Sequence, residues 1–131
     1  METSYQGQER RRAYRVKPAL GNPLRIEFYR NNRKISSERI RDISVGGIAF
    51  LLPSSADLPE IGERIDQISL FLPRESPLAL SGLVRRVEPD IGLCAMELVD
   101  METSVERRIV NYVNRRQREL SWVKAEKRLD K

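Results

Sequence analysis

Histidine is absent from this sequence of 131 residues, and cysteine occurs once, as Cys94. Without histidine there is no imidazole for acid–base catalysis, for a Ser–His–Asp triad or for a histidine metal ligand. One cysteine allows neither an internal disulfide nor a zinc site made of cysteines alone. Glycine-rich phosphate loops and carboxylate clusters with metal-ligand spacing are also missing. We therefore expect a protein that is not an enzyme and that requires no cofactor or metal.

Long apolar segments are missing as well. The longest strictly apolar run covers residues 48–52, whereas a helix that spans a membrane needs about 20 apolar residues. The N-terminal sequence METSYQGQERRR has no apolar core of the kind that a signal peptide requires. We therefore expect no membrane span, and the lone cysteine fits the reducing cytoplasm.

Positive charge, by contrast, is in excess. The sequence has 24 Lys and Arg residues against 19 Asp and Glu residues, a net charge of +5. The excess lies at the two ends, in residues 9–17 and 102–131, while the middle is close to neutral. This distribution suggests an anionic partner. With 40% apolar residues the chain has the composition of a folded protein, and its length favours one domain.

The middle of the chain, residues 18–100, has the pattern of β-strands. Polar and apolar residues alternate in short runs, and few of the joining segments are long enough for a crossover helix. Antiparallel pairing is therefore expected, and closure of the sheet would remove its exposed edges. The pattern predicts a mostly β fold, a small six-stranded antiparallel barrel. Its predicted strands are residues 24–29, 35–43, 48–52, 65–72, 78–87 and 91–98.

The C-terminal part, residues 102–128, changes to helical spacing and contains no Gly or Pro. An apolar stripe begins at Val105 and is interrupted at Arg116, so the end of this α-helix is expected to protrude from the barrel. A protruding end needs a partner, and a second copy of the chain, forming a homodimer, is one candidate. Residues 1–8 are polar and are expected to form a flexible tail.

Two arginines four residues apart, Arg11 and Arg15, are the first candidate functional residues. The spacing places both guanidinium groups on one face of a helical turn or of an extended strand. Two convergent guanidinium groups suit an anion with several oxygens, such as a phosphodiester, and arginine also binds the O6/N7 edge of guanine. The alternative is an ordinary solvated basic segment without a ligand.

The second candidate segment is RDISVGG at residues 41–47. Asp42 and Ser44 are two residues apart and are therefore expected on the solvent-facing side of a strand end. A carboxylate accepts hydrogen bonds from N–H donors such as those on the Watson–Crick edge of guanine, and Gly46 and Gly47 permit positive φ and close approach of a flat ring. The alternative is a glycine-containing hairpin in which Asp42 and Ser44 form local turn bonds.

Together, the two segments resemble the signature motifs of the PilZ domain family, bacterial receptors for cyclic di-GMP. The first is an RxxxR motif at residues 11–15, and the second is a DxSxxG motif at residues 42–47. The sequence GIAF that begins at the last glycine of the second motif, and GLCAMEL at residues 92–98, also resemble strands of the family. The resemblance covers about residues 9–115 and shows no departure at the signature positions.

The resemblance implies a ligand and a role for each candidate residue. The expected fold is a PilZ-like split barrel of six strands with a C-terminal helix, and the expected ligand is cyclic di-GMP. Arg11 and Arg15 would lie on a loop before the barrel and clasp the phosphates and guanines, and we expect this loop to become ordered on binding. An additional cation at Arg10 favours two stacked ligand molecules. The barrel side of the site would consist of Asp42, Ser44, Gly46 and Gly47.

A receptor without a catalytic domain must act through a partner, so an unidentified protein effector is also expected. Two other functions are open on the sequence alone. A small basic barrel can bind single-stranded nucleic acid through a charged groove, although an aromatic content of 6% is low for base stacking. A PilZ-like domain can also serve only as a protein-interaction module that binds no nucleotide.

Overall fold

The computed structural model describes the backbone of residues 14–129 and the side chains of residues 14–122. It consists of one seven-stranded sheet followed by one long helix. A single turn of 3-10 helix, Ser55–Asp57, lies between the fourth and fifth strands. The elements are β1 (Arg25–Arg30), β2 (Arg33–Ser37), β3 (Ile40–Ser44), β4 (Gly47–Leu51), β5 (Arg64–Phe71), β6 (Leu78–Glu88), β7 (Leu93–Val99) and α1 (Thr103–Leu129).

Neighbouring strands of the sheet are all antiparallel, in the order β2-β1-β5-β6-β7-β4-β3. The two edge strands, β2 and β3, follow each other in the chain with only Glu38 and Arg39 between them. A connection this short reaches at most about 11 Å, so it draws the two edges together. The sheet therefore curls into an open barrel with its seam between β2 and β3. The mostly β fold with an antiparallel barrel-like sheet and a C-terminal helix is confirmed.

The sheet has seven strands instead of the expected six, because the predicted strand at residues 35–43 is broken into β2 and β3. Ser37, the last residue of β2, forms the corner between β2 and β3. Its Oγ accepts a hydrogen bond from the backbone N–H of Arg39 at 3.1 Å and donates one to the carbonyl oxygen of Leu51 at 2.6 Å. The break lets β2 pair with β1 while β3 pairs with β4. Both halves carry buried isoleucines, so the hydrophobic pattern does not reveal the corner.

The hydrophobic core fills the curl of the sheet and continues under the first half of α1. Phe28 of β1 and Phe50 of β4 meet edge to face, with 5.9 Å between ring centroids. Further along the helix the side chains become exposed, by 40% at Leu120 and 66% at Trp122. The helix thus packs on the barrel with its first half. The helical residues buried in the core are Ile109, Tyr112 and Val113.

An ion pair between Arg30 and Glu63 ties the end of β1 to the turn before β5. Nε and Nη2 of Arg30 donate to the two carboxylate oxygens of Glu63 at 2.9 and 3.1 Å. The backbone N–H of Glu60 adds a third bond to the same carboxylate at 3.0 Å. The hydrogen bonds from Arg30 hold the pKa of Glu63 below its ordinary value of 4.5.

Glu63→Gln is expected to destabilise the domain at neutral pH and to have a smaller effect in acid. A carboxyl group whose pKa is lower in the folded chain contributes stability above its unfolded pKa, and that stability is lost as the pH falls through the folded pKa. Urea unfolding at pH 7 and at pH 3 measures the difference. The control is Glu88→Gln, which removes the carboxylate from the more exposed ion pair between Arg86 and Glu88. An equal loss for Glu63→Gln at both pH values would contradict the prediction.

Candidate functional site

Residues 14–17 run alongside the edge strand β3 and bring Arg15 to its end. Val16 and Ile43 exchange both of their backbone hydrogen bonds, with N–O distances of 3.0 and 2.9 Å. Val16 is an apolar residue in a basic segment, and its side chain is buried in the core. This single buried anchor fixes the position of the exposed arginine beside it.

Arg15 and Asp42, which belong to the two separate motifs, are in contact. Nη1 of Arg15 donates to Oδ1 of Asp42 at 3.2 Å. On the other side of the carboxylate, Nε of Arg41 lies 3.4 Å from Oδ2. The side chain of Asp42 is 13% exposed, whereas that of Arg15 is 59% exposed. Asp42 is therefore a largely buried carboxylate held between two guanidinium groups that reach solvent.

Ser44 does not face solvent, contrary to the sequence prediction. It is 3% exposed, and its Oγ accepts a hydrogen bond from the backbone N–H of Gly46 at 3.2 Å. Simple alternation fails here because Ser44 is the last residue of β3 and its side chain bonds to the turn that follows. This is a local turn bond, the contact that the alternative interpretation of the segment expected.

Gly46 and Gly47 both have φ outside the left-handed region, so neither adopts the positive φ that glycine permits. Gly47 is required for a different reason, since a Cβ there would lie 2.9 Å from the backbone carbonyl oxygen of Met96 in β7. Gly46 has open space around it, and its own carbonyl oxygen accepts from the N–H of Leu98 at 2.9 Å. The turn after β3 therefore closes onto β7 and leaves an open surface at Gly46.

A ligand can displace Arg15 from Asp42 with only a small loss of free energy. An ion pair with so exposed a member contributes about 0–1 kcal/mol, because water screens it and side-chain entropy opposes it. A ligand that offers an anionic group to Arg15 and N–H donors to Asp42 would replace the pair with stronger charge-assisted bonds. The site is therefore suited to a ligand that carries both.

Sequence reasoning missed two contacts at this site. Arg41 was not singled out, although its position directly before Asp42 was a usable signal. The other contact joins the N-terminal segment to the helix, where Nε of Arg116 donates to the carbonyl oxygen of Lys17 at 2.8 Å across 99 positions. No sequence pattern indicates a link over that separation. The predicted ligand residues Arg10 and Arg11 lie outside the described residues.

A buried thiol is the remaining reactive group. Cys94 is fully buried, and burial raises its pKa to about 12. A thiol with so high a pKa is a poor nucleophile near neutral pH. Within residues 14–122, no group of three or more His, Cys, Asp and Glu side chains is placed to hold a metal ion. In the described part of the chain, no helix combines the length and the apolar character that crossing a membrane requires.

Comparison with known families gives one match over most of the chain. The model of the PilZ domain family matches residues 9–115. Flagellar brake protein YcgR of Thioalkalivibrio sulfidiphilus (strain HL-EbGR7) is 28% identical over 85 residues. These residues are 65% of this chain and 34% of the relative, so the chain spans about a third of that protein's length.

Solved structures share the fold. The PilZ domain of YcgR from Escherichia coli, with c-di-GMP, has a TM-score of 0.68 at 19% identity, and the match covers 93% of this chain and 98% of that one. YcgR from Escherichia coli in complex with c-di-GMP gives 0.70 at 21% identity, over 90% of this chain and 50% of that one. The Bacillus subtilis inhibitor of motility, MotI, gives 0.63 at 21% identity, over 80% of this chain and 50% of that one. At these identities the likeness establishes the fold.

Proposed function

Because the chain belongs to the PilZ domain family, we propose that it is a cytoplasmic receptor for cyclic di-GMP that acts through a protein partner and catalyses no reaction. The observation that carries the proposal is the contact between Arg15 and Asp42, which brings the two signature motifs to one place. The structures of YcgR with c-di-GMP support the choice of ligand.

Cyclic di-GMP presents two kinds of group to this site, phosphodiesters and guanines. The guanidinium group of Arg15 can bind phosphodiester oxygens in bidentate fashion or take the O6/N7 edge of a guanine. The carboxylate of Asp42 accepts from the two adjacent N–H donors on the Watson–Crick edge. A largely buried carboxylate is costly to leave without donors, so the site favours guanine over a base that lacks two adjacent donors.

Ligand binding replaces the contact between Arg15 and Asp42 in this proposal. The phosphates draw Arg15 away from the carboxylate, and the segment that includes Arg10 and Arg11 becomes ordered around the ligand. The cation at Arg10 supports the binding of two stacked molecules instead of one. The turn that borders the guanine is formed by Ser44, Gly46 and Gly47.

The bound state is transmitted to a partner through the surface that the ligand rearranges. Lys17 follows the anchored Val16, and its carbonyl oxygen is held by Arg116 of α1. A change in the segment therefore acts on the helix. The exposed side chains of Leu120 and Trp122 are available there to an effector protein or to a second copy of the chain.

Calorimetric titration of the purified chain with cyclic di-GMP tests the receptor proposal. We expect micromolar or tighter binding, and no comparable binding of cyclic GMP, which has one guanine and one phosphodiester. A ratio of two ligands per chain would support the role given to Arg10, and a ratio of one would contradict that role. Absence of binding at high ligand concentration would overturn the proposal as a whole.

Salt dependence separates this ligand from single-stranded nucleic acid. Binding of a ligand with two phosphates should weaken with a slope of about −1.5 or shallower in a plot of log affinity against log salt concentration. A nucleic acid that covers many phosphates gives a much steeper slope. Tight binding of single-stranded RNA with a steep slope, together with no binding of cyclic di-GMP, would favour the nucleic-acid alternative.

A further inference from the structure

A cleft of about 150 Å³, lined by both polar and apolar groups, lies where α1 meets the loop after β5 and the chain before β1. Its lining includes neither Arg15 nor Asp42, although it includes Arg116, which also holds the carbonyl oxygen of Lys17. One wall is a face of α1, and the loops supply the other walls. The polar lining residues are Tyr112, Arg115, Arg116 and Glu119 from the helix, and Asn22 and Arg74 from the loops.

The hydroxyl of Tyr112 is buried in the wall of this cleft and has no hydrogen-bond partner among the residues that the structure describes. Burial raises the pKa of this hydroxyl, and the charges of Arg116, Glu119 and Arg115 also act on it. Its oxygen therefore lies among these charged groups. Buried hydroxyls in folded proteins nearly always have a partner. Without a partner among the described residues, and in a wall lined by arginines, the hydroxyl of Tyr112 is available to donate to a group bound in the cleft.

The cleft also carries an excess of positive charge. Arg74, Arg115 and Arg116 line it against a single acid, Glu119. Nη1 of Arg116 lies 2.7 Å from Oε1 of Glu119, whereas Arg115 approaches Glu75 only to 4.0 Å. Arg74 forms no ion pair with any described residue, and the loop holds it at a φ of 63°. Two of the three guanidinium groups are therefore weakly paired or unpaired.

We propose that this cleft binds a phosphate monoester group. Three cations and one acid leave a surplus of two positive charges, which matches the nearly dianionic charge of a phosphate monoester at neutral pH. Guanidinium groups bind its oxygens in pairs, and the hydroxyl of Tyr112 donates to another oxygen. Glu119 is the internal anion that the ligand displaces from Arg116, and its side chain, 44% exposed, turns into solvent.

A phosphate monoester reaches such a cleft from one of two sources, a small phosphorylated metabolite or a phosphorylated side chain of another protein. The recognised group is the same in both cases. Its site lies apart from Asp42, so the proposal does not depend on the binding of cyclic di-GMP.

The test is an NMR titration of the ¹⁵N-labelled chain with inorganic phosphate at constant ionic strength. We expect saturable shifts in the signals of residue 74 and residues 112–119, and none with acetate at equal concentration. Phosphoserine and a blocked phosphoserine peptide then distinguish the sources. A higher affinity for the peptide identifies a protein source, and equal affinities identify a small metabolite.

Five variants test whether the groups of the cleft bind the phosphate. Tyr112→Phe and Arg74→Ala are each expected to weaken phosphate binding about tenfold. Glu119→Gln is expected to strengthen it several-fold, because the competing internal anion is removed. Arg118→Ala removes the same charge from the same helix outside the cleft and should change the affinity little. Arg15→Ala should also leave the phosphate affinity unchanged. The test of the cleft can therefore fail or succeed independently of the test for binding of cyclic di-GMP.

Three results would overturn the proposal. The first is a titration without saturable shifts at the cleft. The second is an equal effect of Arg74→Ala and Arg118→Ala, which would mean that net charge alone attracts the ion. The third is unchanged phosphate affinity in Tyr112→Phe together with a lower melting temperature, which would assign the hydroxyl to packing.

Discussion

Gly92→Ala is expected to destabilise the folded domain strongly. Gly92 has a φ of 72°, and a Cβ on it would lie 2.3 Å from the carbonyl oxygen of Leu52. The left-handed conformation costs a non-glycine residue about 1–2 kcal/mol, and overpacking against backbone adds about 1–3 kcal/mol. The N–H of Leu52 also donates to the carbonyl oxygen of Gly92 at 2.8 Å, so relief of the clash would stretch this bond. A loss of about 2–5 kcal/mol is a large part of the stability of a small domain.

Two other glycines provide graded controls for this prediction. Gly46 has an ordinary φ and open space, whereas Gly62 has a φ of 90° and open space. Gly46→Ala should stay within about 0.5 kcal/mol of the parent, and Gly62→Ala should lose about 1 kcal/mol from backbone strain alone. Urea unfolding followed by circular dichroism ranks the three variants. The prediction is wrong if Gly92→Ala is as stable as Gly62→Ala.

Arg15→Ala is expected to weaken the binding of cyclic di-GMP by about tenfold to a hundredfold, with the fold retained. A hydrogen bond to a charged group contributes about 1.5–3 kcal/mol, and the bidentate contact of the guanidinium group with the ligand replaces its contact with Asp42 in the free protein, so we expect a net loss of that size. The ion pair lost in the free protein is exposed and contributes about 0–1 kcal/mol to its stability. Calorimetric titration gives the affinity, and thermal unfolding shows that the domain remains folded.

Three further variants locate the source of this effect. Arg64→Ala removes an equally charged side chain from an exposed ion pair with Asp66 and Asp100, and should bind cyclic di-GMP like the parent. Arg15→Lys keeps the charge but loses the bidentate geometry, so its affinity should be intermediate. Asp42→Asn keeps the shape of the acceptor and should weaken binding about tenfold. Equal affinities of Arg15→Ala and Arg64→Ala would show that Arg15 does not touch the ligand.

The parts of the fold that depend on local pattern are predictable from the sequence, and those that depend on partner strands are not. Alternation places five of the six predicted strands within two residues of their observed ends. The corner at Ser37 depends on a carbonyl group of β4, which no alternation within the strand encodes. The strand pattern also does not reveal a bulge in β6, where the pairing with β7 shifts register. The bulge turns both Arg85 and Arg86 to solvent, whereas strict alternation would point one of them inward.

The same distinction applies to the candidate site. The proximity of Arg15 and Asp42 is predictable, because each belongs to one of the two signature motifs and the resemblance implies one shared site for both. The turn bond of Ser44 is predictable as one of two alternatives, but the burial of its side chain is not, because it depends on the turn that closes onto β7. The need for glycine at Gly47 arises from the carbonyl group of Met96, a residue of a strand far along the chain. A sequence shows that a glycine is present, but only the fold shows which atom it makes room for.

The backbone pairing of Val16 with Ile43 also bears on self-association. An unpaired sheet edge offers its N–H and C=O groups to any other strand, and proteins with bare edges tend to aggregate. At the β2 edge, the exposed charges of Arg33 and Lys34 discourage such pairing. The β3 edge lies at the other end of the sheet, and Val16 occupies part of it. The segment that presents Arg15 thus also shields the sheet from strand-by-strand growth into larger assemblies.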